Sequence, residues 1–132
     1  MLSRFRREGG QDLVEFALVM FFLAPLLFGI MELGIVIFSY NTIANAAREG
    51  ARYGAVHCPT WSLTCNLADI SKAASDWTVG LNQANLTITP THPTGTIQVV
   101  VTYKVDLIPG LMGRPDITLQ ARSTMQTEGY PE

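Results

Sequence analysis

The pattern of apolar and polar positions divides the chain at about residue 56. No residue from Phe16 to Met31 is charged, and Leu33 to Phe38 continues the apolar character past Glu32. Wound as a helix, Leu13 to Phe38 is about 39 Å long at about 1.5 Å per residue. A hydrocarbon core is about 30 Å thick, so the run spans it with tilt. A chain of 132 residues is too small to surround so long an apolar rod, which argues against a buried core helix. Pro25 predicts a kink or local loosening near Phe21 to Pro25. Gly29 and Gly34 permit close approach of another helix. Ser39 to Tyr53 contains no helix breaker except Gly50 and continues the same helix. Ile43, Ala47, Gly50/Ala51 and Gly54 form a stripe of mostly small residues at three- and four-residue spacing. That stripe fits packing on the chain's own sheet or on neighbouring subunits. A helix from Asp12 to Val56 would be about 68 Å long.

Beyond it the periodicity changes. Leu67, Ile70, Ala73/Ala74 and Trp77 recur at helical spacing, with Asn66 a plausible N-cap and Gly80 a stop. They predict a short amphipathic helix with that apolar face in the core. Leu86 to Thr89 is a short strand-like run. Thr96 to Leu107 alternates, with Ile97, Val99, Val101, Tyr103, Val105 and Leu107 on one face. Ile117 to Met125 alternates again, with Leu119 and Ala121 inward. Such patterns fit antiparallel strands with one buried face. Residues 90–95 link the first two strands and 109–115 the second two. Leu111 and Met112, in the second link, are either contact or core residues, and the tail after Thr127 is loose. The predicted class is α+β: a long N-terminal helix, membrane-spanning and then amphipathic, followed by a short helix and a small three-stranded antiparallel sheet. The boundaries are a leader at 1–10, a transmembrane helix at 11–38, an amphipathic continuation at 39–56 and a small extracytoplasmic α+β domain at 57–132.

Charge adds a direction. The net charge is −2, so no basic surface calls for nucleic acid. Positive charge is concentrated at Arg4, Arg6 and Arg7, ahead of the apolar run. By the positive-inside rule this end stays cytoplasmic and the rest lies outside, a single pass through the cytoplasmic (inner) membrane. Cys58 and Cys65 then share an oxidising compartment that allows a disulfide. Closing so short a loop is worth about 2–3 kcal/mol, and small domains often depend on such staples. His57 and His92 beside these cysteines match no familiar zinc spacing, so neither metal nor cofactor is expected. Trp61, within the loop, is a packing or contact residue. The chain has no G-x-S-x-G, no H-E-x-x-H and no phosphate-gripping glycine loop. Asp69, Asp76, Asp106, Asp116 and Glu128 are scattered, and the chain is not expected to be an enzyme.

Glu15 is the most informative residue. A carboxylate within a bilayer costs about 2.5–3.5 kcal/mol at mid-membrane, less near the edge, and such residues are usually functional. It lies five positions after Gly10, which ends the short basic segment Leu2-Ser3-Arg4-Phe5-Arg6-Arg7-Glu8-Gly9-Gly10. Together these features suggest a leader cut after Gly10, leaving a new amine at Gln11. Two other forms of processing are open. A secretory signal peptide has an apolar region of about 7–15 residues, shorter than this one; cleavage after Ala44-Asn45-Ala46 would start the chain at Ala47. The other is a double-glycine leader for export of a small peptide. Glu32 lies about 25 Å further along the helix than Glu15. It is expected near the outer interface, in reach of headgroup water or of another helix.

Gly10-Gln11-Asp12-Leu13-Val14-Glu15-Phe16 resembles the processing signal of type IV pilins and pseudopilins, and Glu15-Phe16 resembles the glutamate-aromatic pair of the Flp/Tad branch. With Asn45-Ala46-Ala47-Arg48-Glu49-Gly50-Ala51-Arg52 it resembles the TadE-like family of minor pilins, up to about residue 55. The resemblance implies cutting by a prepilin peptidase at Gly10 and Gln11, and methylation of the new amine. It implies that Glu15 attracts the amine of a neighbouring subunit and sets axial register as subunits pack by their helices. A proline placed like Pro25 is associated in pilins with local melting of the helix inside the filament. Gln11 departs from the phenylalanine many type IV pilins carry there; an N-terminal glutamine can cyclise and lose its charge, which methylation would block. The implied role is in a Tad (Flp) type IV pilus or secretion system, in pilus assembly, surface adhesion or biofilm formation. The alternative is a single-pass membrane-anchored adhesive or scaffold domain that joins no filament.

Overall fold

The structure, a computed structural model, describes residues 5–58, 66–93, 95–106 and 116–127. The expectations for Trp61, Cys65, Leu111, Met112 and the tail after Thr127 fall outside the described residues. One helix, α1, runs from Phe5 to His57, 53 residues. It continues through Gly9, Gly10 and Pro25 without a break in its assignment. A second helix, α2, spans Leu67–Ser75. Asn66 caps it as expected: its side-chain oxygen accepts from the Ala68 backbone N–H at 3.1 Å, satisfying a donor that no helical carbonyl reaches. A 3₁₀ turn at Gln83–Asn85 leads into the strands β1 (Leu86–Thr91), β2 (Thr96–Asp106) and β3 (Asp116–Gln126).

The sheet is an antiparallel meander in the order β1-β2-β3. Leu86 faces Tyr103 across β1 and β2, and Val101 faces Ala121 across β2 and β3. The first strand reaches Thr91 and so includes Pro90. A proline is tolerated there because β1 is an edge strand.

The alternation foreseen in β2 is the core of the fold. Ile97, Val99, Val101, Tyr103 and Val105 are all buried. They belong to one cluster with Ile43, Ala46, Ala47 and Ala51 of α1 and Ile70 of α2. The stripe on α1 therefore packs on the chain's own sheet. The glycines in it are required by distance. A β-carbon on Gly50 would lie 2.8 Å from Ala74 Cβ, and one on Gly54 would lie 2.8 Å from Ile97 Cγ2.

These neighbours also give α2 its direction. Ile70 lies beside Gly54 and Ala74 beside Gly50, so α2 runs back down α1, antiparallel to it. The chain continues downward: a β-carbon on Gly80 would lie 3.5 Å from the Phe38 ring. Gly80 has φ +85°, a backbone conformation that suits glycine and lets the chain turn there. The helix itself departs from expectation at its end. It stops at Ser75, so Trp77 leaves the helical stripe; Trp77 is 56% exposed and Leu67 41%, while Ile70 and Ala74 are fully buried.

Candidate functional site

The feature with functional character is the exposed length of α1. Its most apolar window is 0% buried, with mean hydropathy 2.4. Leu13, Phe16, Phe21, Phe22, Leu26 and Met31 all face outward. From Leu13 to Met31 this bare surface covers about 28 Å, close to a hydrocarbon core of about 30 Å. One long apolar helix of this kind is consistent with single-pass membrane anchoring. Its C-terminal end coincides with the start of the folded head, because Glu32 is only 3% exposed, followed by Ser39 at 2% and Ile43 at 0%.

Glu32 thus differs from the sequence expectation. The folded chain, rather than headgroup water, surrounds it. An isolated-helix reading placed it by height along the rod, and height says nothing of whether the head reaches down to cover that face.

Gly10, Gln11, Asp12 and Glu15 lie at the other end of the bare segment, all exposed on one continuous helix. Gln11 and Glu15 are four positions apart, so they share a face one turn apart, with a rise of about 6 Å. Gly10 has open space around it: a β-carbon there would meet no heavy atom within 4 Å. Among the described residues, Gln11, Asp12 and Glu15 are all exposed here, open to another molecule.

Above the bare segment, α1 shows two faces. One lies on the sheet. The other exposes Tyr40, Asn41, Asn45, Arg48, Arg52 and Val56. On it Arg52 Nε donates to Glu49 Oε2 at 2.8 Å, the i, i+3 pair anticipated from spacing. With the arginine side chain 68% exposed, such a pair contributes at most a fraction of about 1 kcal/mol. At the top of α1, His57 stacks on Tyr53 with ring centroids 4.1 Å apart. Its Nδ1 lies 3.0 Å from the Tyr53 carbonyl and, as the N–H tautomer, donates to it. Cys58 follows, buried at 3% exposure; its expected partner Cys65 is outside the described residues. His92 Nε2 is buried without a hydrogen-bond partner. Among the described residues no three of His, Cys, Asp and Glu gather as a metal site would require.

The family model of the TadE-like protein matches residues 10–52. The match begins at Gly10, includes Glu15 and the whole bare segment, and ends within the packed part of α1, before the head's own helix and sheet. No curated protein matches the chain, and no solved structure does. Over residues 10–52, about a third of its length, the chain is similar to the TadE-like family.

Proposed function

We propose that this protein is a minor pilin or pseudopilin of a Tad (Flp) type IV pilus or secretion system. Its TadE-like segment implies a protein associated with the Tad pilus. In this reading a prepilin peptidase cuts after Gly10 and exposes the amine of Gln11. The chain then waits in the inner membrane with its N-terminus cytoplasmic and its head outside. It joins or primes a filament through α1, in pilus assembly, surface adhesion or biofilm formation.

The observation that carries the reading is the pairing of an all-round bare apolar helix with one acid, Glu15, one turn beyond the cut. A soluble protein would bury such a surface. A plain anchor has no need of a carboxylate there, since Glu15 gains nothing from lipid. A cation on an adjoining helix offsets that cost and fixes how far one rod slides along the next. Among the described residues Gln11 and Glu15 are exposed, which leaves that face open to another subunit. Asp12, beside the new amine, lies nearer the water and favours the positive end of the trimmed helix dipole by about 0.3–1 kcal/mol. Glu15, deeper in the apolar run, has the larger need for a partner.

The test is made in cells that assemble the filament. Glu15→Ala should leave processing intact and reduce assembly. Mass spectrometry of the N-terminus should find a chain starting at Gln11, methylated and not cyclised. A mature protein that retains Met1 to Gly10 would instead support the membrane-anchored adhesive or scaffold domain, and normal assembly by Glu15→Ala would remove the role given to the acid. The absence of a catalytic constellation in the sequence fits a structural, non-enzymatic role.

A further inference from the structure

We propose that the turn from Trp77 to Val79 is a second membrane contact, seating the head on the outer interfacial layer of the bilayer that α1 crosses. The proposal rests on the reading of α1 as a membrane span and adds to it a lipid-facing site on the head.

Height along the rod is the first argument. Ala74 lies beside Gly50, and Gly80 lies beside the ring of Phe38, a residue twelve positions and about 18 Å below Gly50 on α1, so the chain descends toward the bare segment between them. The run from Leu13 to Phe38 is about 39 Å long. A bilayer with its headgroups is about 40–45 Å thick. Phe38 therefore stands at the outer headgroup level, and the chain from Trp77 to Gly80 descends from the end of α2 to its ring.

Side-chain direction is the second. Within the turn, Thr78 is 1% exposed and Leu81 is buried, whereas Trp77 is 56% and Val79 78% exposed. Thr78 is held inward by two hydrogen bonds. Its hydroxyl donates to the Ser75 carbonyl at 2.6 Å and accepts from Gln83 Nε2 at 2.9 Å. Trp77 and Val79 are thus presented outward by a fixed turn. Ile35, Ile37 and Phe38 are also exposed on α1, and Phe38 lies beside Gly80 at the end of this turn. Tryptophan, apolar in its rings with one N–H donor, favours this boundary layer. Lys72, within α2, and Asp76, its C-cap, are also exposed.

The full chain in vesicles of phosphatidylethanolamine and phosphatidylglycerol tests this. Trp61→Phe leaves Trp77 as the single tryptophan. Trp61→Phe/Trp77→Phe/Phe22→Trp places a lone reporter on the bare segment. Circular dichroism matching the unaltered chain establishes the fold of each. Lipids brominated near the headgroup should remove most of the Trp77 emission, and lipids brominated deep in the acyl chain should remove that of the Phe22→Trp reporter. If the deep reporter responds while Trp77 is quenched only by aqueous iodide, the head does not rest on lipid and this inference fails alone. Trp77 emission that ignores lipid bromine but changes with protein density assigns the turn to a second copy of the chain, which also overturns it. A deep reporter untouched by any lipid removes the span and the inference together.

Discussion

Adding one methyl group at Gly50 probes how α1 and α2 meet. A β-carbon there would sit 2.8 Å from Ala74 Cβ, with Val99 Cγ1 at 3.4 Å. Carbon atoms pack best at about 3.5–4.0 Å. Ala74 Cβ is bonded directly to the backbone, so no rotation relieves the contact and α2 itself must shift by about 1 Å. Such overpacking costs about 1–3 kcal/mol. Replacing glycine by alanine inside a helix returns about 1 kcal/mol. Gly50→Ala should therefore destabilise the head by about 1 kcal/mol net, within a range of about 0–2. For a head of this size the midpoint falls by about 5 °C per kcal/mol. Gly29→Ala is the control: nothing lies within 4 Å of its added carbon, so the helix gain of up to about 1 kcal/mol stands alone. The assay is thermal unfolding of the full chain in detergent micelles, followed by tryptophan emission and circular dichroism. A double-mutant cycle isolates the contact. Ala74→Gly costs about 1 kcal/mol in α2 by itself but vacates the space Gly50→Ala needs, so the pair should couple by about 1–2 kcal/mol. Equal stability of Gly50→Ala and Gly29→Ala, together with no coupling to Ala74→Gly, would falsify the close approach of the two helices.

Three further outcomes follow from the same structure. Ile70→Ala should cost about 2–5 kcal/mol, since the side chain is fully buried against Gly54; a loss of a few tenths in the same unfolding assay would mean that α2 does not dock there. Asn66→Ala removes the cap of α2 and should cost about 1 kcal/mol, whereas Asn66→Gly should lose less; identical losses would count against the side-chain hydrogen bond. We also propose that Cys58 pairs with Cys65, so Cys58→Ser should lower stability by about 2–3 kcal/mol under oxidising conditions and very little after reduction. A free-thiol count of two on the unfolded, unreduced chain would contradict the pairing.

Local pattern made much of the architecture legible. Sixteen uncharged positions in a row, Phe16 to Met31, predict a helix of membrane-spanning length, and the structure shows one exposed helix there. Strict alternation from Ile97 to Val105 specified a strand with one buried face, and Ile97, Val99, Val101, Tyr103 and Val105 are all buried. Asn66 announced the start of α2 because an N-cap is a short-range hydrogen bond. Where α2 ends was less legible. Trp77 continued the apolar spacing, but the chain leaves the helix at Asp76, where Thr78 takes the inward position two residues before the Gly80 turn. The length of β1 was also underestimated, because Pro90 argues against a strand until its place at a sheet edge is known.

The candidate site divides in the same way. Gly10, Gln11 and Glu15 are neighbours along one helix, so their spacing in the chain is already their spacing in space. The sequence by itself therefore determined the rod, its bare span and the acid one turn after Gln11. Tertiary structure decided everything that depends on residues far apart in the chain meeting one another. It chose the chain's own sheet as the partner of the small-residue stripe, covered Glu32, and brought Gly80 down beside Phe38 with Trp77 facing out. The physical reason is that periodicity reports which face of an element is apolar, whereas what covers that face depends on contacts that no local pattern contains.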